Sequence, residues 1–221
     1  MLAFLSWSSD AAAQAGRDTA ADRRHRADCR LAHQVLTKGQ PAVKREWALG
    51  KIRVCEELGG EALAAELRRH RQAESPTEAL EEAVRATRDF VDARLAEVAL
   101  DITSDPSAGT AARVQAIRVL SYQITPGSSA SFEELTDPGE ETFFHHHGAP
   151  VVGERLPEEF PSRIFETLAD IHSDDGNPES LQNAASNVGL QVLLEEICPP
   201  EVESQACDRK FEKLLANSGS S

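Results

Sequence analysis

Residues that favour burial recur at steps of three and four along most of this chain, which is the spacing of one helix face. The longest such stripe needs a packing partner to leave water. Aromatic residues make up only 5% of the chain, whereas the abundant Ala, Leu, Glu and Arg favour helix over strand. The sequence therefore predicts an all-α protein. The residues of this stripe are Leu80, Val84, Thr87, Val91, Leu95, Val98 and Ile102.

Proline and glycine mark the ends of the first predicted helices. We expect one helix over residues 27–38, which Gly39 ends, and a second that starts at Pro41. The short connection makes the two a helical hairpin. Trp47 belongs to the apolar stripe of the second helix, so we expect it in the core rather than on a ligand-binding surface.

Further signals divide the middle of the chain. Gly59 and Gly60 predict a break before a short third helix. Ser75 is expected to cap the long helix and to form a capping box with Glu78, and Thr110 can start the next helix. Two more predicted helices place apolar residues inward, among them Ile164, Phe165, Leu168, Ile171, Leu181, Ala185, Val188, Val192 and Leu193.

Three of these segments share a form: PAVKREWALGKI from Pro41, TAARVQAIRVL from Thr110 and PESLQNAASNVGLQVL from Pro178. Each resembles the second helix of a HEAT or armadillo-type repeat. Their starts lie 69 residues (41 to 110) and 68 residues (110 to 178) apart, whereas a HEAT unit spans about 40–47 residues. The resemblance therefore implies an irregular stack of helical hairpins, of the kind that offers curved binding surfaces and determines no chemistry.

The helical period disappears over residues 125–161, which predicts a long polar insertion that binds a partner or is disordered. A small β-hairpin between TFFHHH and VVGER is a second interpretation. His145 and His147 would share one strand face and His146 the other, so two of them and Glu140 or Glu141 suit zinc or copper. We prefer an exposed loop without metal or cofactor, in which Phe143, Phe144 and the three histidines are the candidate partner-binding residues.

The sequence contains no G-x-S-x-G, H-E-x-x-H, G-x-x-x-x-G-K-[ST] or G-x-G-x-x-G motif. We therefore expect a non-catalytic binding or structural subunit that recognises a protein. Two alternatives stay open: a metal-dependent hydrolase that uses residues 145–147, and a cytoplasmic regulatory adaptor.

Charge is distributed unevenly along the chain. Residues 23–72 contain 12 Lys and Arg against 6 Asp and Glu, a net charge of +6, and residues 125–221 contain 5 against 19, a net charge of -14. The simpler interpretation is two solvated surfaces of opposite sign, and the other is steering of a charged partner. The acidic excess argues against nucleic acid as the partner.

The first 22 residues are expected to be a degenerate signal peptide or a disordered leader. Residues 2–7 are a short apolar run, and Ala13-Gln14-Ala15 fits the small-x-small pattern of a cleavage site, although a basic n-region is missing. Residues 23–216 are then a single helical domain and residues 217–221 a disordered tail. No other stretch approaches the roughly 18 apolar residues that span a bilayer.

Four cysteines decide the expected compartment. Cys29 and Cys55 lie at the same end of the first hairpin, and Cys198 and Cys207 flank a proline pair. We predict the sequential disulfides Cys29–Cys55 and Cys198–Cys207, which indicate a periplasmic or secreted protein. The alternative is four reduced cysteines in the cytosol.

Overall fold

The structure is a computed structural model that describes residues 19–39, 41–88, 90–124 and 151–193. These ranges contain eight helices and a two-stranded sheet, which confirms the all-α prediction with a small β element. The elements are α1 (Ala20–Lys38), α2 (Ala42–Ile52), α3 (Glu56–Arg69), α4 (Glu78–Thr87), β1 (Phe90–Val91), α5 (Ala93–Ser104), α6 (Thr110–Ile124), β2 (Val151–Val152), α7 (Phe160–Ser173) and α8 (Glu179–Val192).

The helices form four hairpins in two layers. Helices α1, α3, α5 and α7 pack side by side in one layer, and α2, α4, α6 and α8 in the other. Consecutive helices pair across the layers, so α1–α2, α3–α4, α5–α6 and α7–α8 are hairpins 1 to 4. Hairpins 1 and 4 therefore lie at the two ends of a stack. No helix within the described ranges is both long and apolar enough to cross a membrane.

Helix α1 begins earlier than expected, at Ala20 instead of residue 27. A capping box is the reason: Thr19 Oγ1 accepts the backbone N–H of Asp22 at 3.1 Å, and Asp22 Oδ2 accepts that of Thr19 at 2.9 Å. Residues 19–22, which the sequence places in the leader, thus belong to the helix and its cap. Gly39 ends α1 as predicted, in the left-handed conformation (φ 68°).

The prediction of one long helix is wrong, because β1 divides this segment into α4 and α5. Thr77 caps α4 in place of Ser75, with its hydroxyl accepting the Leu80 N–H at 3.2 Å. Asp92 caps α5 by accepting the Arg94 N–H at 2.9 Å. All seven residues of the predicted stripe are nevertheless buried. The periodicity identified which residues are buried and missed the break in the helix.

The predicted break at Gly59 and Gly60 is also wrong, since both lie inside α3. A Cβ atom at Gly59 would lie 2.4 Å from the ring of Phe90, and one at Gly60 would lie 2.0 Å from the carboxyl carbon of Asp92. The two glycines therefore allow the strand region to approach the helix backbone closely.

Strand β2 pairs in parallel with β1, and Phe90 is opposite Val151. Residues 151–152 of the predicted hairpin thus pair with a distant strand, and the other half of that hairpin, TFFHHH, lies outside the described residues, so the hairpin stays a prediction. The Gln123 side chain donates to the Phe90 carbonyl at 2.8 Å and accepts the Asp92 N–H at 2.9 Å. Residues 125–150, including most of the predicted insertion, lie outside the described residues.

The core runs through the whole stack. The residues predicted to face inward on α7 and α8 are all buried. Trp47, in contrast, is 38% exposed, so its predicted place in the core is wrong. Helix α2 buries Ala48, Leu49 and Ile52 instead. Trp47 precedes this face by one residue, a rotation of about 100°.

Candidate functional site

Cys29 and Cys55 form the predicted disulfide, with Cα atoms 5.6 Å apart. Cys29 lies within α1, and Cys55 is the N-cap of α3. The bridge therefore joins hairpin 1 to the start of hairpin 2. Both sulfur-bearing residues are buried, and His25 Nε2 lies 3.7 Å from Cys29 Sγ. Cys198 and Cys207 lie outside the described residues, so their pairing stays a prediction.

Glu66 is a fully buried carboxylate that the sequence interpretation missed. It accepts hydrogen bonds from Arg45 and Arg69 and lies 3.2 Å from His70 Nε2. Burial by itself would raise the pKa of Glu66, but hydrogen bonds from His70 and Arg45 and the charges of both arginines lower it. The sequence does contain a signal for this group, because Arg69 and His70 follow Glu66 at the i+3 and i+4 positions of one helix.

The Glu66 group connects four helices to one another. Arg45 comes from α2, Glu66 from α3, and Arg45 also contacts Glu82 of α4 at 3.0 Å. Arg69 donates to the Leu36 carbonyl of α1. The opposite charges of this group thus neutralise each other at the boundary between hairpins 1 and 2, so the role of the group is structural.

Asp92 is a second fully buried carboxylate. Its oxygens accept the backbone N–H of Glu154 at 3.0 Å and three N–H groups of Arg94 at 2.7 to 3.0 Å. Burial would raise the pKa of Asp92, but the Arg94 and Glu154 hydrogen bonds and the Arg94 charge lower it. This group holds the returning segment at residue 154 against α5.

The predicted histidine loop lies outside the described residues, and this includes Phe143, Phe144, His145, His146 and His147. Elsewhere, within the described ranges, no cluster of three or more His, Cys, Asp or Glu side chains suits a metal ion. The metal hypothesis for residues 145–147 therefore stays a prediction.

One exposed apolar surface lies on hairpin 1. Leu31 of α1 is 50% exposed and lies one helical turn before the buried Val35, and Trp47 of α2 is exposed beside the same cleft. Two lysines edge the cleft, one from each helix. We call this the free-end surface, and its residues are Leu31, Gln34, Val35, Lys38, Lys44 and Trp47.

The structure places the uneven charge at opposite ends of the stack. Residues 19–55, which include hairpin 1, contain nine Lys and Arg against three Asp and Glu, a net charge of +6. Residues 151–193, which include hairpin 4, contain two against eight, a net charge of -6. These charges can be counted in the sequence, but only the structure shows that two hairpins separate them.

Comparison of the chain with models of known protein families, with curated proteins and with solved structures finds no match.

Proposed function

We propose that this chain is a non-catalytic binding subunit, an irregular HEAT-like stack that recognises a protein partner through the free-end surface. The observation that carries the proposal is the exposure of Leu31 and Trp47 at the end of the stack. Terminal units of helical-repeat proteins need a polar outer face for solubility. An apolar face at this position is therefore best explained by a partner that covers it.

The composition of the surface suits protein recognition. Tryptophan is enriched among the residues that contribute most to binding energy in protein interfaces. Lys38 and Lys44 at the edge favour an acidic partner and accelerate its encounter with the surface. The nearest-neighbour packing of the hairpins supports the repeat interpretation, because each hairpin contacts the next one along the stack.

We further propose that the protein is exported to the periplasm or secreted. The Cys29–Cys55 disulfide supports this location, since disulfides persist in oxidising compartments. The apolar residues 2–7 and the Ala13-Gln14-Ala15 pattern support it independently. N-terminal sequencing and thiol alkylation of protein from its native cell test it: a retained residue 1 with reduced Cys29 and Cys55 would contradict export.

The binding proposal is tested by affinity capture from native extract with three forms of the chain. Wild type is compared with Leu31→Ser/Trp47→Ser and with the control Leu190→Ser, which alters a leucine that is 43% exposed on hairpin 4. We expect wild type and the control to capture the same protein and the double variant to lose it. Equal capture by all three folded forms would contradict a binding role for this surface.

A further inference from the structure

The free-end surface has a specific chemical complement in the chain itself. Residues 194–208 follow the last described residue, Leu193, and contain five acidic side chains and no Lys or Arg. Leu194, Ile197 and Val202 supply apolar anchors among them. We call this segment the acidic tail. It combines the two properties that an apolar cleft edged by lysines selects, which are aliphatic side chains and negative charge.

The acidic tail follows hairpin 4, whereas the free-end surface lies on hairpin 1 at the opposite end of the stack. Neighbouring helices in a layer pack about 8–10 Å apart, so three steps separate hairpin 4 from hairpin 1 by about 25–30 Å. Ile197 lies four residues beyond Leu193, which is at most about 14 Å of extended chain. Leu194 and Ile197 therefore cannot reach the free-end surface of the same molecule, and Val202, nine residues beyond Leu193, reaches it only along a fully extended chain.

A second copy removes this obstacle. Its hairpin 4 end has a net charge of -6 and approaches the +6 end of the first copy with favourable electrostatics. We propose that the free-end surface binds the acidic tail of a second copy, so that molecules associate head to tail. This proposal rests on the binding role of the free-end surface and names its partner as the chain itself.

Head-to-tail contacts use two different surfaces, so an open assembly keeps one free-end surface unoccupied at one end and one acidic tail unoccupied at the other. The contact between Leu31 and Trp47 on one side and the tail anchors on the other supplies the apolar area. Lys38 and Lys44 pair with tail carboxylates at the edge. Association should therefore weaken as salt is raised.

The test uses two full-length variants with complementary defects. Variant R, Leu31→Ser/Trp47→Ser, has an altered free-end surface and an intact tail. Variant T, Ile197→Ser/Val202→Ser, has an intact surface and an altered tail. Sedimentation velocity over a range of concentrations measures the mass of each alone and of an equimolar mixture, and circular dichroism checks that each is folded. Leu190→Ser is the control.

We expect wild type and Leu190→Ser to grow beyond a dimer with concentration, whereas R and T alone stay monomeric, with association at least about tenfold weaker. The mixture should form a dimer and stop there, because only one functional contact can form. A wild type that stays monomeric at all concentrations, or a mixture that stays monomeric while wild type associates, would overturn the proposal.

The same measurements separate this inference from the proposed function. If wild type is monomeric and affinity capture still depends on Leu31 and Trp47, the surface binds another protein and only the head-to-tail proposal fails. If capture does not depend on them and self-association is absent, both fail. If variant R or variant T alone forms assemblies as large as those of wild type, the head-to-tail proposal also fails, because each variant lacks one side of the contact.

Discussion

Replacing Gly60 by alanine should destabilise the protein, although alanine is the better helix former. Gly60 lies within α3, and a Cβ atom there would be 2.0 Å from the carboxyl carbon of Asp92 and 2.1 and 2.2 Å from its oxygens. Non-bonded carbon atoms prefer about 3.5–4.0 Å. The Asp92 carboxylate, which is fully buried, must therefore move by roughly 1 Å or more to relieve the overlap.

The expected magnitude follows from the bonds that this movement breaks. Asp92 accepts four hydrogen bonds, from Arg94 and from the Glu154 amide. Hydrogen bonds to charged groups contribute about 1.5–3 kcal/mol each, so losing two costs about 3–6 kcal/mol. The higher helix propensity of alanine offsets about 1 kcal/mol. We expect Gly60→Ala to lower the free energy of unfolding by about 2–5 kcal/mol.

Gly50 provides the matched control, because it lies in α2 with nothing within 4 Å of its Cβ position. Gly50→Ala should raise the free energy of unfolding by about 0.5–1 kcal/mol. Urea denaturation followed by circular dichroism measures both variants. In the background of Asp92→Ala, Gly60→Ala should cost much less than in wild type, since the clash is gone. Equal stabilisation by the two glycine replacements, or no coupling between Gly60 and Asp92, would refute the packing argument.

Three further outcomes are expected. The pKa values of Glu66 and Asp92 are lowered from 4.5 and 3.8, so these carboxylates stabilise the fold above those values, and this stabilisation is lost as pH falls below them. Urea denaturation should therefore show a steeper loss of unfolding free energy below about pH 4.5 in wild type than in Glu66→Gln, a variant that itself loses about 3 kcal/mol. Cys29→Ser/Cys55→Ser should lose about 3.5 kcal/mol, the loop-closure value for a sequence separation of 26, and an unchanged melting temperature would contradict it. Replacing His145, His146 and His147 by alanine should change stability by less than about 0.5 kcal/mol, whereas stoichiometric zinc that only wild type binds would revive the metal hypothesis.

The sequence predicted the helices where a local signal marks each end. Gly39, Pro41 and Thr110 all lie at helix boundaries, and the inward residues of α7 and α8 are buried as expected. The Cys29–Cys55 disulfide was also predicted, because the hairpin turn fixes which residues lie opposite each other. Local rules were sufficient for these features.

The failures have non-local causes. Strand β1 interrupts a continuous apolar stripe because Phe90 pairs with Val151, which is far along the chain. A glycine pair indicates either a break or a close approach, and only the position of Asp92 decides between them. Trp47 has the spacing of a core residue, yet the face that α2 buries depends on its neighbours. The free-end surface was therefore missed although its basic surroundings were visible in the sequence.

The residues on either side of 125–150 are anchored close together, and this has a consequence for changes in chain length. Gln123, just before this stretch, bonds to the backbone of Phe90 and Asp92, and Val151, just after it, is opposite Phe90 in the sheet. The chain thus leaves and re-enters the stack at the same strand. Doubling the length of a flexible loop between adjacent fixed ends costs only about 0.6 kcal/mol. Because both ends are held at this strand, we expect an insertion between them to cost little and to leave the pairing of β1 with β2 intact.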